Sequence, residues 1–433
     1  MAASRTESPW TSTPRHPGAE AGTGWHPVAR SAEVGTTPRQ VGAGGQVYVV
    51  LRLRPGAEVT ALSARCPHRL VPLTAATVVE GRVQCPYHGW QFNAEGRCVE
   101  IPSLGPGGAP PPRADLATPW AVEERDGWVW LAPDPTPAPR PPQATSPAPE
   151  PVPDLPRPDG PVLDNLHPAL EHAWHPVALA GELLPGGYVQ TRLLGRTWTV
   201  HRRPGGALDA DPPAWAVTEH LGVVWIAPAE PLAEPIGVPG LPDPLARSAW
   251  LPPVRSVAPA GALADAFLDA SHRIAHKAPE TTVPEVTTEQ GGFSAVREEP
   301  GHRRVTHVHR APFQLLRREE DLATGTVTTV LRLLQPEDAD STRVHTCVLL
   351  RRPDGTADAD ALATATATAA GALAEDLALL PRLASSGLPL VPRDELHVPA
   401  DRLGVALRRT LADLVADCAA ADRAAALVQR ATA

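Results

Sequence analysis

The chain has 433 residues, which is long enough for two or three domains that each bury a core. Its formal net charge is -9 and it contains no block of basic residues, so neither nucleic acid nor an anionic membrane is an expected partner. The first two dozen residues hold no apolar stretch after a basic start, and no long apolar run follows, so the sequence predicts a cytoplasmic protein. Five scattered cysteines, an odd count, argue against a disulfide framework.

The N-terminal third of the chain divides by composition into three segments. Residues 1–23 are rich in Ser, Thr, Pro and Gly, which predicts a disordered tail. Residues 24–133 contain short segments rich in Val, Leu and Trp, such as 46–54 and 127–131, and Gly and Pro clusters divide them. This pattern predicts antiparallel strands in a small all-β domain. Residues 134–160 are rich in Pro, Ala and acidic residues, which predicts an extended linker that could span about 80 Å.

Two Cys/His pairs in the first β domain form the pattern C-x-H…C-x2-H. The segment Cys66-Pro67-His68-Arg69 precedes Cys85-Pro86-Tyr87-His88-Gly89-Trp90, and sixteen residues separate His68 from Cys85. In a Rieske [2Fe–2S] centre, two thiolates hold one iron and two imidazoles hold the other. The pattern therefore predicts Cys66 and Cys85 on one iron, with His68 and His88 on the other. The alternative is a tetrahedral zinc site, but zinc modules usually separate the first two ligands by two to four residues.

An internal repeat follows the linker. Trp25-His26-Pro27-Val28-Ala29 recurs at 174–178, and the segment from Trp120 to Pro133 recurs from Trp215 to Pro228. The two offsets are 149 and 95 residues, so the second copy is 54 residues shorter. The missing stretch corresponds to the part of the first copy that contains all four predicted ligands. Residues 161–232 are therefore predicted to form a second β domain without a cluster.

The C-terminal part, residues 233–433, combines strand and helix patterns. Strand-like segments at 326–334 and 343–350 precede Ala-rich helical sequence at 359–385. A last helix begins near Asp401, a plausible N-cap, and its apolar residues recur at spacings that line one face. These patterns predict strands followed by two helices in this part of the chain.

Taken together, Trp25–Ala29, the two Cys/His segments and Gly127-Trp128-Val129-Trp130 resemble the Rieske non-haem iron oxygenases, the aromatic-ring-hydroxylating α-subunits. The resemblance implies an α+β fold: an antiparallel Rieske domain with its cluster lobe and a helix-grip (START-like) catalytic domain, with the second copy as a degenerate Rieske-like domain between them. We expect this second copy to occupy the usual Rieske position against the catalytic domain, with the cluster-bearing copy tethered ahead of it by the linker.

The resemblance extends to a candidate oxygen-activating site, where a facial triad of two histidines and a carboxylate leaves positions open on Fe(II). The segment Ala266-Phe267-Leu268-Asp269 through His272 and His276 is similar to the family's Asn-Phe-Leu-Asp-x-x-His-x4-His. It implies that His272 and His276 bind iron, while Asp269 connects this site to the cluster of a neighbouring subunit. Here Ala266 replaces the family's asparagine and three residues, not four, separate the histidines. One residue fewer rotates the second ligand by about 100° on a helix.

The third iron ligand implied by the resemblance is Asp376, because Ala374-Glu375-Asp376-Leu377 is similar to the family's Glu-Asp segment. The alternative is that Glu375 and Asp376 only solvate an Ala-rich helix. His307 and His309 alternate on a predicted strand at 304–310 and therefore share one face, and we interpret them as a polar strand face.

The function implied by the resemblance is a mono- or dioxygenase. Such a protein passes electrons from its [2Fe–2S] cluster to a mononuclear Fe(II), which activates O2 to hydroxylate or demethylate an organic substrate. A ferredoxin or flavin reductase supplies the electrons from NAD(P)H, and the family assembles as a homotrimer. Two alternatives remain open: an electron-transfer protein without the mononuclear iron, and a zinc-stabilised binding module. No motif identifies the substrate.

Overall fold

The computed structural model describes residues 24–143, 147–239, 241, 243–269, 283–299, 301–355, 359–380 and 387–432. The predicted N-terminal tail and the predicted iron ligands His272 and His276 lie outside these residues. None of the helices in the described part of the chain combines the length and apolarity needed to cross a membrane.

Short strands dominate the first 230 residues. Those of the first β domain are β1 (His26–Arg30), β2 (Arg39–Ala43), β3 (Gln46–Arg52), β4 (Val59–Ser63), β5 (Thr77–Val79), β6 (Arg82–Gln84), β7 (Gln91–Phe92), β8 (Cys98–Glu100), β9 (Ala121–Arg125) and β10 (Trp128–Ala132). Those of the next segment are β11 (Val162–Leu163), β12 (His175–Leu179), β13 (Tyr188–Leu193), β14 (Arg196–Arg202), β15 (Leu208–Asp211), β16 (Ala216–His220) and β17 (Val223–Ala227).

Longer strands and helices make up the C-terminal part. The strands are β18 (Ala246–Trp250), β19 (Val254–Ser256), β20 (Glu285–Glu289), β21 (Gly292–Glu299), β22 (Arg303–Arg310), β23 (Gln314–Asp321), β24 (Val327–Asp338), β25 (Ser341–Arg351) and β26 (Leu388–Pro389). The helices are α1 (Ala260–Leu268), α2 (Ala359–Leu379) and α3 (Arg402–Thr432). Antiparallel sheets with a few helices confirm the predicted α+β class.

The described residues form two compact units, and the first comprises 24–64, 94–96, 117–143 and 147–154. It contains two antiparallel sheets, in the orders β1-β10-β9 and β2-β3-β4, around a core of Val, Ala, Leu and Tyr side chains. Linker residues 134–143 and 147–154 belong to this unit. Ala138 O accepts a hydrogen bond from Trp25 Nε1 at 3.0 Å, and the carboxylate of Glu150 accepts from His26 Nδ1 at 2.7 Å.

The second unit contains Arg65–Asn93 and Arg97–Leu116, here called the cluster lobe, together with the chain from Leu155 onward. The cluster lobe is a small sheet in the order β5-β6-β7-β8. A larger antiparallel sheet follows the order β18-β25-β24-β23-β22-β21-β20, and β19 also pairs with β25. The predicted cluster lobe therefore belongs to the same compact unit as the C-terminal sheet and helices.

The strand pairing of residues 175–227 repeats that of the first β domain. The order β12-β17-β16 matches β1-β10-β9, and β13-β14-β15 matches β2-β3-β4. The register slips directly after Pro27 in one copy and after Pro176 in the other. Both equivalent hairpins turn through two residues with positive φ, Asp126-Gly127 and Leu221-Gly222.

The second copy shares an apolar core with the large sheet. Trp174 and Trp225 from the copy pack in one buried cluster with Leu331, Leu333 and Leu349 of β24 and β25. Burial of this much aromatic and aliphatic surface is strongly favourable. The second copy is therefore fixed against the C-terminal sheet.

Candidate metal centre

Two tight loops of the cluster lobe carry the four predicted cluster ligands. The Cys66 N–H donates to Val71 O at 2.9 Å and closes the first loop, and the Cys85 N–H donates to Trp90 O at 2.8 Å and closes the second. A proline follows each cysteine and fixes φ at that point. Each loop therefore presents its cysteine and histidine from a restrained backbone.

The structure brings all four predicted ligands together, and all four are buried. The ring centroids of His68 and His88 are 4.3 Å apart, and Trp90 stacks on His68 at 4.5 Å. Burial raises the pKa of Cys66, whose thiol donates a hydrogen bond to Cys85. That hydrogen bond lowers the pKa of Cys85 to about 7. The low pKa favours the thiolate, the form in which cysteine binds iron.

The surroundings of His68 fit a metal ligand. Its Nε2 donates to both carboxylate oxygens of Asp401, at 3.0 Å each. Burial lowers the pKa of His68 to about 4, so the imidazole is neutral at pH 7. Its Nδ1 is buried and has no hydrogen-bond partner among the residues that the structure describes. Metal-binding histidines characteristically give one nitrogen to the metal and the other to a carboxylate. The donor set therefore fits the predicted [2Fe–2S] cluster.

The other cluster histidine contacts the residue predicted to connect the two metal sites. His88 Nε2 donates to Asp269 Oδ2 at 2.7 Å, and both side chains are buried. Burial disfavours the imidazolium form, but the Asp269 carboxylate raises the pKa of His88. The resemblance implies that Asp269 meets the cluster of a neighbouring subunit, whereas in this structure it meets the cluster lobe of its own chain.

Asp269 is positioned by the short helix α1. Its backbone N–H donates to Asp265 O at 2.9 Å, so it lies where the helix ends. At the other end, the buried side chain of Asn165 accepts from Ala260 N–H at 2.7 Å. The Asn165 amide group also donates to two carbonyls of the turn between β24 and β25, at 2.9 Å each. Satisfying the first N–H of a helix in this way anchors α1, and with it Asp269, to the large sheet.

A buried network of charges joins the cluster lobe to α1 and α3. Arg69 lies 3.4 Å from Asp265, 3.6 Å from Glu395 and 3.2 Å from Asp401. Arg408 contacts Asp265 at 2.7 Å and Glu395 at 2.7 Å. Burial alone would raise the pKa of Asp265, but Arg408 and Arg69 together lower it. Burial raises the pKa of Glu395 despite the same two guanidinium groups.

The sequence predicts Asp401 only as a helix N-cap and carries no sign of its contact with His68. Helix α3 does begin at Arg402, directly after Asp401. The Asp401 carboxylate accepts from the Val398 N–H at 2.6 Å as well as from His68. His68 and Asp401 are 333 residues apart in sequence, so no local pattern could have revealed their contact.

The third predicted iron ligand, Asp376, lies near the end of α1. Its side chain is buried and Oδ2 is 3.4 Å from Arg332 Nη1, whereas the neighbouring Glu375 is exposed. The guanidinium of Arg332 in turn lies 4.2 Å from the ring centroid of Phe267, two residues before Asp269. Within the described ranges no three His, Cys, Asp or Glu side chains are arranged to hold a single metal ion, and the predicted partners of Asp376 at 272 and 276 are outside those ranges.

Comparisons with known proteins match the two ends of the chain to different domains. Residues 24–119 match the Rieske [2Fe-2S] domain, and residues 265–417 match the vanillate O-demethylase oxygenase C-terminal domain. The first match contains the four predicted cluster ligands, and the second contains Asp269, Asp376 and Asp401. Both domains that the resemblance implies are therefore found, in the implied order.

Curated relatives match mainly the Rieske part. The chain is 36% identical over 113 residues to the protein TIC 55 of Arabidopsis thaliana, which covers 25% of this chain and 20% of that protein. It is 38% identical over 109 residues to the 3-chlorobenzoate-3,4-dioxygenase oxygenase subunit of Comamonas testosteroni, covering 25% of each. It is 34% identical over 116 residues to the methylxanthine N1-demethylase NdmA of Pseudomonas putida, covering 25% of this chain and 32% of that protein. The matched region thus spans a fifth to a third of each relative.

Among solved structures, NdmA from Pseudomonas putida with caffeine is 18% identical, with a TM-score of 0.36, and the match covers 89% of this chain and 88% of that one. Apo dicamba monooxygenase is 17% identical, with a TM-score of 0.36 and coverage of 92% and 97%.

Proposed function

We propose that this chain, which belongs to the Rieske non-haem iron oxygenases by its two matched domains, is a mono- or dioxygenase that hydroxylates or demethylates a small organic substrate. The observation that carries the proposal is the 2.7 Å hydrogen bond from His88 to Asp269. It links a predicted cluster ligand to the helix end that leads towards His272 and His276. When bound, the cluster carries single electrons and the mononuclear Fe(II) binds and activates O2.

The protein's own residues hold these groups in place. Cys66, Cys85, His68 and His88 are the proposed cluster ligands, and Asp401 orients the His68 ring through Nε2. Asp269 accepts a hydrogen bond from His88 Nε2 and fixes the distance between α1 and the cluster lobe. The buried surroundings of both hydrogen bonds keep water away from them.

The mononuclear iron is proposed to bind His272, His276 and Asp376. Asp376 is supported over Glu375 because only Asp376 is buried, and its partner Arg332 lies over the ring of Phe267. In the absence of iron, Arg332 neutralises this carboxylate, so iron binding requires the pair between Arg332 and Asp376 to open or to share the carboxylate.

We assign the domains as a Rieske domain at 24–133, a linker at 134–160, a degenerate Rieske-like repeat at 161–232 and a catalytic domain at 233–433. The repeated strand order and the repeated register slip after Pro27 and Pro176 support this assignment. A ferredoxin or flavin reductase is the proposed source of electrons from NAD(P)H, in the cytoplasm, and a homotrimer is the assembly that the resemblance implies.

Nitric oxide, which binds Fe(II) at the open positions meant for O2, tests the proposal without knowledge of the substrate. Anaerobic protein loaded with Fe(II) should give the EPR signal of a high-spin Fe(II)–NO adduct. Asp376→Asn should remove this signal and leave the signal of the reduced cluster intact. The matched control is Glu375→Gln, at the exposed neighbour on the same helix, which should retain both signals.

No Fe(II)–NO signal in the wild-type protein, with a normal cluster signal, would refute oxygenase activity and leave an electron-transfer protein. An unchanged signal in Asp376→Asn would remove Asp376 from the ligand set.

A further inference from the structure

We propose that each chain is redox-complete: the cluster lobe docks on the catalytic domain of its own chain, and the electron passes from cluster to iron within one polypeptide. The proposal rests on the proposed function, but the docking itself does not depend on bound metal. When both groups are bound, the cluster would supply a single electron to the mononuclear iron, and the hydrogen bond between His88 and Asp269 would connect the two sites with no bond formed or broken. The external ferredoxin or flavin reductase replaces that electron.

The contact expected between two subunits, from Asp269 to a cluster ligand, is made inside one chain. Both cluster histidines donate through Nε2 to carboxylates of the C-terminal part, His88 to Asp269 at 2.7 Å and His68 to Asp401 at 3.0 Å. Both hydrogen bonds are buried. Neither cluster histidine therefore needs a neighbouring chain to supply its carboxylate.

The lobe is also held by a buried charge at its tip. The Arg69 side chain is only 3% exposed and lies within 3.6 Å of Asp265, Glu395 and Asp401. Its Nη1 donates to His397 Nδ1 at 2.8 Å. A buried charge that loses its partners is strongly destabilised, so Arg69 favours the docked position over a loose encounter. A backbone hydrogen bond adjoins this anchor, from Leu396 N–H to the carbonyl before His68, at 2.8 Å.

The second copy of the repeat and the cluster lobe do not compete for the same surface of the catalytic domain. Trp174 and Trp225 fix that copy to β24 and β25, whereas the cluster lobe contacts the end of α1 and the segment before α3. The two Rieske-like copies therefore use different surfaces of the catalytic domain. The linker at 134–160 separates them by a length that could span about 80 Å when extended. One polypeptide can thus supply both a fixed Rieske-like neighbour and a cluster-bearing one.

A photo-crosslink distinguishes docking within a chain from docking between chains. Leu70 of the lobe lines a cavity of about 130 Å³ together with Pro259, Ala262 and Leu388 of the C-terminal part. The photo-crosslinking residue p-benzoylphenylalanine would be introduced at Leu70 in the full chain. Irradiated protein should run at monomer mass on a denaturing gel, and mass spectrometry should find the Leu70 peptide joined to a peptide from 257–262 or 387–389.

The matched control carries the same photoreactive residue at Val99, an exposed position of the same lobe. Its crosslinks define the background yield. The internal Leu70 crosslink should exceed that background and should keep its yield over a hundredfold dilution of the protein.

A crosslinked dimer as the main Leu70 product would refute the proposal and would place the lobe on a neighbouring chain. A Leu70 yield no higher than the Val99 background would refute docking altogether. Because neither readout needs iron or turnover, both are separate from the nitric oxide test of the oxygenase function.

A second experiment coexpresses two differently tagged variants, Cys85→Ser without a cluster and Asp376→Asn without the mononuclear iron, and isolates particles that carry both tags. If electrons pass only within a chain, O2 should oxidise the reduced cluster of the mixed particles no faster than it oxidises the cluster of Asp376→Asn alone. Recovery of rapid cluster oxidation would show transfer between chains and overturn the proposal. If no particle carries both tags, the chains do not associate, and electron transfer within one chain is the sole remaining route.

Discussion

Replacing Arg408 by methionine should weaken the folded second unit more than any surface change, because Arg408 neutralises two buried carboxylates. Its side chain is 1% exposed, and those of Asp265 and Glu395 are 6% and 2% exposed. Arg408 Nη1 lies 2.7 Å from Asp265 and Nε lies 2.7 Å from Glu395. After the substitution, Arg69 is the cation that remains beside Asp265 and Glu395 among the described residues. Removing one partner of a buried ion pair typically costs about 3–5 kcal/mol, which is the expected loss in the free energy of unfolding.

The pH dependence of this loss has a definite sign. Burial raises the pKa of Glu395 above its ordinary value of 4.5 already in the wild-type protein. A carboxyl group whose pKa is raised on folding is favourable below its unfolded pKa and becomes unfavourable as pH rises through the folded pKa. Loss of Arg408 raises that pKa further, so the deficit of Arg408→Met should be smaller near pH 5 than near pH 8.

Urea unfolding followed by tryptophan fluorescence measures both effects. The matched control is Arg203→Met, which breaks a pair with Asp209 at the surface, where the two side chains are 61% and 40% exposed. Surface pairs contribute about 1 kcal/mol or less. If Arg408→Met were no more destabilising than Arg203→Met, the buried network would not hold the cluster lobe in place.

Three further predictions concern single side chains. Asp401→Asn removes the negative charge beside His68 and should raise the reduction potential of the cluster by tens of millivolts, on the order expected from Coulomb's law. A redox titration measures this change. Asp413→Asn, at an exposed position on α3, is the control and should leave the potential unchanged. Burial lowers the pKa of His175 to about 4, so the free energy of unfolding should fall as pH drops from about 6.5 towards 4, by up to about 1.4 kcal/mol per pH unit. His175→Asn should remove this one group's contribution to the pH dependence. An equal slope in both proteins would contradict the assignment. Cys98→Ala should retain the full content of iron and acid-labile sulfide, because Cys98 is buried outside the ligand motif, and loss of the cluster would show that the ligand set is incomplete.

Local patterns in the sequence predict the local elements closely. The segment 46–54 forms β3 over Gln46–Arg52, and the segment 343–350 lies within β25. The Ala-rich segment predicted to be helical at 359–385 forms α2 over Ala359–Leu379, and residues 381–386 are outside the described ranges. Strand alternation correctly places His307 and His309 on one face of β22, but the structure buries that face, which the sequence does not indicate. Periodicity and turn residues act over a few positions, so they predict secondary structure without knowledge of the tertiary fold.

Local patterns do not predict which residues surround the cluster ligands. The spacing of Cys66, His68, Cys85 and His88 predicts their gathering because the ligands lie on two short loops of one lobe. Their carboxylate partners lie 181 and 333 residues away in sequence, and only the tertiary fold brings them close. The resemblance nominates Asp269 but implies a cluster partner on another subunit, whereas in the structure Asp269 contacts His88 of the same chain.

The most direct test of the account is to count iron and acid-labile sulfide per chain in anaerobically purified protein, with an EPR spectrum of the dithionite-reduced sample. A [2Fe–2S] cluster together with a mononuclear site predicts three irons, two sulfides and the low-average-g signal of a Rieske centre. Two irons with two sulfides would keep the cluster and contradict the mononuclear site at His272, His276 and Asp376. Zinc without acid-labile sulfide would contradict the assignment of the cluster itself.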